Sequence, residues 1–505
     1  MSGKHSQMLR GLEATNKAPN FQGRFGRMFP KLSAAHYGKT TAESEEALRK
    51  LGEKMTADFD PPKDGPDPEE SGIPALYTYF GQFVDHDITF DPNSSLQKQN
   101  DPQALTDFRT PALDLDNVYG RGPGDQPYMY DGDMNFLQGN PLTLGDAHAR
   151  DLPRNGANPS RALIGDPRND ENSIVSQLQG LFHRFHNRTV ADNPGMAFEK
   201  VQERVRFHYQ YVVVHDFLPR IIEASVLQSL KTGNQYDSAK IKFFNWNPNV
   251  FMPVEFSVAA YRLGHSMIRP GYRLNDAVLV PIFPIPHEDE PGFGEGLTGF
   301  RAMISDWGID WARFIDVEHR EYSGSKQFDQ RRLQFAYRID TSIVNPLKHL
   351  PEMVAAKPSS LAERNLLRSF RLGLPSGQLV AEAMGIKPLT DDDIRVGKAE
   401  NSPKGADVPV PITKVSKVFA GTCPLWTYIL AEAMHHRTPE RVPVKGNVTI
   451  KTPQLGPVGG RIVAETFLGM LFGDSASLLN VAPKWHPAGR PNYKLKDFVN
   501  YALGK

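Results

Sequence analysis

Apolar positions along this chain recur mostly at helical rather than alternating spacing. Residues 73–90, IPALYTYFGQFVDHDITF, are strongly apolar, have no proline beyond their second position, and predict a helix. In 171–192, Ile174, Leu178, Leu181, Phe182 and Phe185 form one apolar stripe, the signature of a helix buried on one side. Residues 199–231 predict a second long helix or a helix pair. Residues 253–269 begin at Pro253 and stop before Pro270, as a helix with proline at its first position and just past its end would do. Residues 360–371 open on Ser360 with Glu363 three positions on, a capping-box pattern. Shorter helices are expected at 460–473 and 496–503. Strand signals are sparse, with VLVPIF at 278–283 and VTI at 448–450 able to pair locally. The pattern predicts a mainly α-helical fold with long irregular loops and little β-structure.

Between these segments lie breaks rich in Pro and Gly: 120–133, 286–298 and 391–412. None is long or low in complexity, so they predict surface loops rather than domain linkers. Residues 1–70 are polar and end in DFDPPKDGPDPEESG. They predict an extended N-terminal arm with a short helix near 41–57, leaving 71–505 as a single domain.

Composition narrows the function classes. The chain has 505 residues, a formal net charge of +0, 39% hydrophobic and 23% charged residues, which is ordinary for a globular protein and gives no electrostatic reason to expect nucleic acid as a partner. A single cysteine, Cys423, forbids an intrachain disulfide and points to a reducing compartment. The first twenty residues carry no apolar core of signal-peptide length, and no run of about 18 apolar residues suggests a membrane span. The expected location is the cytoplasm, with export by a route lacking an N-terminal signal left open.

Five segments carry candidate chemistry. In GQFVDHDITF (81–90), Gln82, Asp85 and His86 share a helix face, while Asp87 is turned about 100° away. A solvated helix end and a non-haem metal site both suit that cluster. In RTPALDLDNVYG (109–120), Thr110, Asp114 and Asp116 offer oxygen ligands that would suit Ca²⁺, or form an ordinary polar turn. In GDPRNDENSIVSQLQGLFHRFHNR (165–188), Asp170 is the expected helix N-cap, and Arg168 sits where the helix dipole does not favour a cation, so it calls for an anionic partner. His183 and His186 follow at i, i+3, as packing histidines or metal ligands. His265 and Arg262 lie in AYRLGHSMIRPGY (260–272), and Asn365 and Arg368 share a helix face in LAERNLLRSFRLGLP (361–375).

Taken together and in this order, these segments resemble the animal-type haem peroxidases of the peroxidase–cyclooxygenase superfamily, including its bacterial branch and myeloperoxidase. The resemblance runs from about residue 72 to about 475, and GQFVDHD, LDNVYG, RNDEN with FHNR, YRLGH and RNLLRSFRLGLP carry it. It implies haem b, with His265 as proximal iron ligand and Asn365 accepting that ring's other N–H. His86, Arg168 and Gln82 match the distal catalytic residues. Arg262 and Arg368 match arginines near the haem propionates, and Asp85 and Glu171 the carboxylates that become ester-linked to haem. Asp87, Thr110, the Ala112 carbonyl, Asp114 and Asp116 match the Ca²⁺ ligands.

The implied reaction is reduction of hydrogen peroxide through a ferryl intermediate, followed by oxidation of small donors such as phenols, halides or thiocyanate. Three departures stand out. Asn172 occupies the position of the methionine that myeloperoxidase bonds to haem, the disulfides of the secreted relatives are missing, and Arg262 stands where fatty-acid dioxygenases of the superfamily carry a radical tyrosine. Such a dioxygenase, and a non-enzymatic haem- or Ca²⁺-binding protein, are the alternative readings.

Overall fold

In a computed structural model, the chain is described over residues 25–58, 65–89, 111–132, 134–246, 250–284, 296–322, 331–351 and 357–505. Eight helices of eight residues or more occur among the described residues: α1 (Thr41–Lys54), α2 (Leu76–Ile88), α3 (Ser173–Asp192), α4 (Phe198–Val212), α5 (Leu361–Arg371), α6 (Leu425–Ala433), α7 (Pro457–Gly473) and α8 (Leu495–Ala502). Their ends are marked by local chemistry. Thr40 caps α1 by accepting from the Glu43 amide, and Ser360 caps α5 by accepting from the Glu363 amide. Pro457 takes the first position of α7, where its missing N–H costs nothing.

The fold is mainly α, as the spacing of apolar positions predicts. Among the described residues, strands occur only as two-stranded pairs. The two strand signals do not pair with each other. Leu279–Pro281 pairs with Gly271–Arg273, and Thr449–Pro453 with Arg437–Arg441, both antiparallel. One hydrophobic core runs from Phe25 to Ala502 and takes in Leu48, Leu51 and Met55 at the N-terminal end. No helix among the described residues is long and apolar enough to cross a membrane.

Three local expectations are corrected. The span 253–269 is not one helix: it holds a single turn, Val254–Ser257, and then a 3₁₀ segment, Ala260–His265. Ala259, at φ −133° and ψ −77°, breaks the run, so the proline pattern marks a segment rather than its regularity. The segment 199–231 continues past α4 through a π-helical turn, Val213–Phe217, into two short helices. Finally, α3 is capped by Asn172, which accepts from the amides of Ile174 and Val175, and not by Asp170. Asp170 is instead buried in a two-pronged ion pair with Arg154, at 2.8 and 2.9 Å.

Candidate active site

Helix α2 sets the first part of the site. It packs on α3 through stacked Phe83 and Phe182, centroids 4.3 Å apart, which turns the opposite polar edge toward the segment before α3. His86 is buried there. Its Nδ1 lies 2.8 Å from Asn169 Oδ1 and its Nε2 lies 3.4 Å from Glu171 Oε1. Gln82, one turn earlier, donates to the same Glu171 oxygen and accepts from Asn172 Nδ2 at 3.2 Å. Gln82, His86 and Glu171 are therefore brought together, and Asn172 serves both as the α3 cap and as a clamp on Gln82.

Arg168 finds its anionic partner two residues away. Its guanidinium pairs with Asp166 at 2.8 Å and donates to the carbonyls of His86 at 2.9 Å and Thr89 at 2.5 Å. It thus grips the C-terminal end of α2, where carbonyls left over by the helix need donors. Asp85, the residue before His86 on α2, is half-buried. Its charge, after burial, is among the causes that hold the Tyr261 phenol protonated.

The neighbouring carboxylates form a second cluster. Ligand oxygens of Asp87, Asp114 and Asp116 lie within 4.8 Å of one another. Burial, followed by the charges of Asp116 and Asp87, pushes the Asp114 carboxyl well above its ordinary range. Like charges at this spacing, one buried and two half-buried, fit a bound hard cation that would offset their repulsion. The loop is built for this approach: Leu115, between two of the aspartates, is held in the left-handed region at φ 63°, and Asn117 ties the loop to α2 by donating to the Phe83 carbonyl at 3.1 Å. Ala112 is buried in the same loop, while Thr110 lies outside the described residues.

The third part comes from the 3₁₀ segment, which packs against α2 and α6. His265 Nδ1 lies 2.7 Å from Asn365 Nδ2 on α5. Burial, followed by the Arg262 charge, pushes its pKa down to about 3, so the imidazole is neutral at any working pH. With the amide N–H donating to Nδ1, the ring proton sits on Nε2. A carboxamide turned through 180° in the same space would accept Nδ1–H and bare Nε2 for a metal, so the pair fits an iron ligand in that turned form.

Arg262 donates to the Ser257 carbonyl at 2.9 Å, and its charge, after burial, lowers the pKa of Arg364. Two guanidiniums this close suit an anionic group between them. Arg364 was not among the residues singled out by sequence, although it precedes Asn365 directly. Arg368 lies on the same face of α5 as Asn365, one turn on. Tyr261 donates to the Gly81 carbonyl at 3.1 Å and stacks on Phe256 at 4.7 Å, so its hydroxyl is committed to α2.

Sequence reasoning also passed over Asn169 and Gln179. Their signal was present in RNDEN and in the polar position 179 inside an otherwise apolar stripe. His183 and His186 are packing histidines: His183 stacks on Phe136 at 4.2 Å, and His186 sits between Tyr119 and the Met134 carbonyl, at 3.0 and 2.8 Å.

Comparison with known proteins adds family and fold. Residues 96–286 match the family model for animal haem peroxidase. That stretch holds Arg168, Glu171, Arg262 and His265, and stops short of His86 and Asn365. The chain is 24% identical to dual oxidase of Drosophila melanogaster over 261 residues, 49% of this chain and 15% of that one. It is 29% identical to human thyroid peroxidase over 154 residues, 29% of this chain and 15% of that one. The matched part thus spans well under a quarter of these relatives' length. Among solved structures, peroxidase A of Dictyostelium discoideum shares the fold with a TM-score of 0.58 at 15% identity, covering 91% of this chain and 89% of that one. The fatty acid alpha-dioxygenase of Arabidopsis thaliana does so with a TM-score of 0.56 at 13% identity, covering 93% and 76%. The likeness to these two structures is one of fold, mainly α-helical with few short strands.

Proposed function

From the match of residues 96–286 to the animal haem peroxidase model and from the site geometry, we propose that the chain is a haem peroxidase, an oxidoreductase that reduces hydrogen peroxide and oxidises small donors such as phenols, halides or thiocyanate. One observation carries the reading: the helix that holds buried His86, flanked by Gln82 and Glu171, packs against the segment that holds His265, the partner of Asn365. Simple binding of a cofactor would need only the second of these.

Haem b would be held by His265 through Nε2, oriented by Asn365, with Arg262 and Arg368 toward its carboxylates and Asp85 and Glu171 as candidate ester partners. When bound it supplies the redox chemistry. The chain's own work is proton handling and positioning. His86 takes the peroxide proton at Nε2 and returns it to the departing oxygen, a base-then-acid role. Gln82 orders Glu171 beside it. Arg168 fixes the backbone of the turn that carries His86 and brings a positive charge near the site, partly offset by Asp166. Ca²⁺ at Asp87, Asp114 and Asp116, with the loop carbonyls, would brace the same turn from the other side.

Fatty-acid oxygenation is disfavoured by Arg262 in the tyrosine position and by the commitment of the Tyr261 hydroxyl to Gly81. The test is an optical spectrum of the purified protein followed by peroxide with a panel of donors. A Soret band and peroxide-dependent turnover of a phenol are expected. A protein without haem, or one that consumes oxygen with palmitate and no peroxide, would overturn the proposal.

A further inference from the structure

The side chains behind His86 are connected in one direction. His86 Nδ1 meets Asn169 Oδ1 at 2.8 Å, Asn169 Nδ2 donates to Gln179 Oε1 at 2.8 Å, and Gln179 Nε2 meets His183 Nε2 at 2.9 Å. All four residues are buried, so water does not interrupt the run. Gln179 and His183 sit one turn apart on α3, while Asn169 comes from the preceding 3₁₀ turn, Pro167–Asp170.

The direction is anchored where it cannot turn over. The Leu137 backbone lies near enough to His183 to favour a proton on the ring, against the larger effect of burial. The Leu137 amide already donates to the Met129 carbonyl at 2.9 Å, so it is the Leu137 carbonyl that faces the ring, and the ring nitrogen there is an N–H. Burial keeps this imidazole neutral, its pKa pushed down to about 3, and it stacks on Phe136 as an uncharged ring. A neutral ring that donates at one nitrogen accepts at the other. His183 Nε2 therefore accepts from Gln179 Nε2–H. That turns the Gln179 oxygen toward Asn169 Nδ2–H, and the Asn169 oxygen toward His86.

We infer that Asn169, Gln179 and His183 form a one-way hydrogen-bond chain that fixes a proton of His86 on Nδ1 and leaves its Nε2 as the proton acceptor. At Nε2 the nearest Glu171 oxygen stands 3.4 Å away, beyond the 2.7–3.2 Å of an N–H···O bond, so no hydrogen bond there competes with Asn169 for the ring proton. The three are positioning residues, for they touch His86 or one another and not the reacting atoms. The catalytic meaning of the chain rests on the peroxidase reading, since Nε2 is the nitrogen that would receive the peroxide proton and give an imidazolium still held by Asn169 through Nδ1–H. The tautomer does not rest on that reading.

The test is ¹⁵N NMR of histidine-labelled protein as purified, with any haem brought to its diamagnetic ferrous carbonyl form, and His86 identified by loss of its signal in His86→Gln. Wild type is expected to show a pyrrole-type Nδ1 and a pyridine-type Nε2 for His86. Asn169→Leu should mix the two tautomers and slow the reaction with peroxide by about 10–100-fold, the usual effect of removing such an outer partner. Asn169→Asp keeps the acceptor and should keep the tautomer and recover the rate. Gln179→Met removes the far donor at similar volume, lets the Asn169 amide turn, and should also mix the tautomers, which decides the matter if Asn169→Leu does not fold. A wild-type His86 protonated at Nε2, or a tautomer unmoved in both Asn169→Leu and Gln179→Met, would overturn the inference. A preparation without haem that still shows Nδ1–H would overturn the proposed function and leave this chain standing.

Discussion

The two histidines of the candidate site are placed by different means. His86 belongs to a regular helix, so its direction follows from the register of α2 against α3, and its partners at 169–172 come from the turn that starts the neighbouring helix. His265 sits in a 3₁₀ segment behind the break at Ala259, and its direction is imposed by Asn365, 100 residues further along the chain. A residue on a packed helix inherits its aim from the whole element. One on an irregular segment owes it to a single partner. Loss of its partner should therefore disturb the aim of the His265 ring, and the His86 side should answer most to loss of the residue itself.

The largest effect tests the second half of that statement. His86→Ala should slow the reaction with peroxide by about 10²–10⁴-fold, the span of a lost general acid–base group, while bound haem is retained. Stopped-flow absorbance measures it, and a peroxide rate within experimental error of wild type would remove His86 from the catalytic role. Asn365→Leu should then cost about 10–100-fold in turnover, with a shift in the ferric spectrum that His86→Ala does not produce. If Asn365→Leu leaves the spectrum unchanged, the ring of His265 is aimed by its segment after all, and the contrast between the two sides fails.

Removing the cation separates the sides in another way. The Asp87–Asp114–Asp116 cluster includes the residue next to His86 in the chain. A chelator should lower thermal stability by about 2.7 kcal/mol if the site is filled at a hundred times its Kd, and should slow the peroxide reaction while the axial ligation persists. Calorimetry and the ferric spectrum on one sample give both readouts. A chelated protein with unchanged melting temperature would mean that the three clustered carboxylates are held without a metal.

How much of this was legible in the sequence follows the same contrast. Helix α2 and the stripe of α3 could be read because their periods are regular, and α5 because Ser360 caps it with Glu363 in place. The 253–269 segment could not, because its prolines signal ends equally well for a helix and for a broken turn. Asp170 was expected to cap α3, but the ion pair with Arg154, sixteen residues away, claims it and leaves Asn172 to the cap. Arg168 asked for an anion, and nothing local to the pattern said that Asp166 would supply it. Partners at long separation, such as Asn169 for His86 or Asn365 for His265, enter the sequence only as polar letters at helical positions. It took the resemblance as a whole to single out Asn365, and Asn169 was missed.

Acid should act through the buried histidines, two of which lie on α3. His183 and His186 are fully buried, with pKa values pushed down to about 3 and about 4 by burial, against an unfolded value near 6.5. Between those limits the unfolded chain binds more protons than the folded one, so stability rises with pH and is lost on acidification from about 6.5 downward. Each histidine contributes at most about 1.4 kcal/mol per pH unit in that window. His183→Phe should flatten the slope by one histidine's share in urea titrations at a series of pH values. An identical slope would mean that His183 is already charged in the folded protein.

The smallest effects come from the two caps, and they divide the sides most cleanly. Asn172→Ala and Ser360→Ala each remove a side chain that accepts from helix amides, at a cost of about 1 kcal/mol in stability. Asn172 also holds Gln82, whereas Ser360 touches only the start of α5 and the helix carries Asn365 a full turn further on. Equal losses in urea midpoint are therefore expected from both variants, with slower peroxide kinetics from Asn172→Ala alone. Should Ser360→Ala slow the kinetics as much, the packing of α5 would be too weak to hold Asn365 without its cap, and the aim of His265 would depend on that helix's end as well as on one carboxamide.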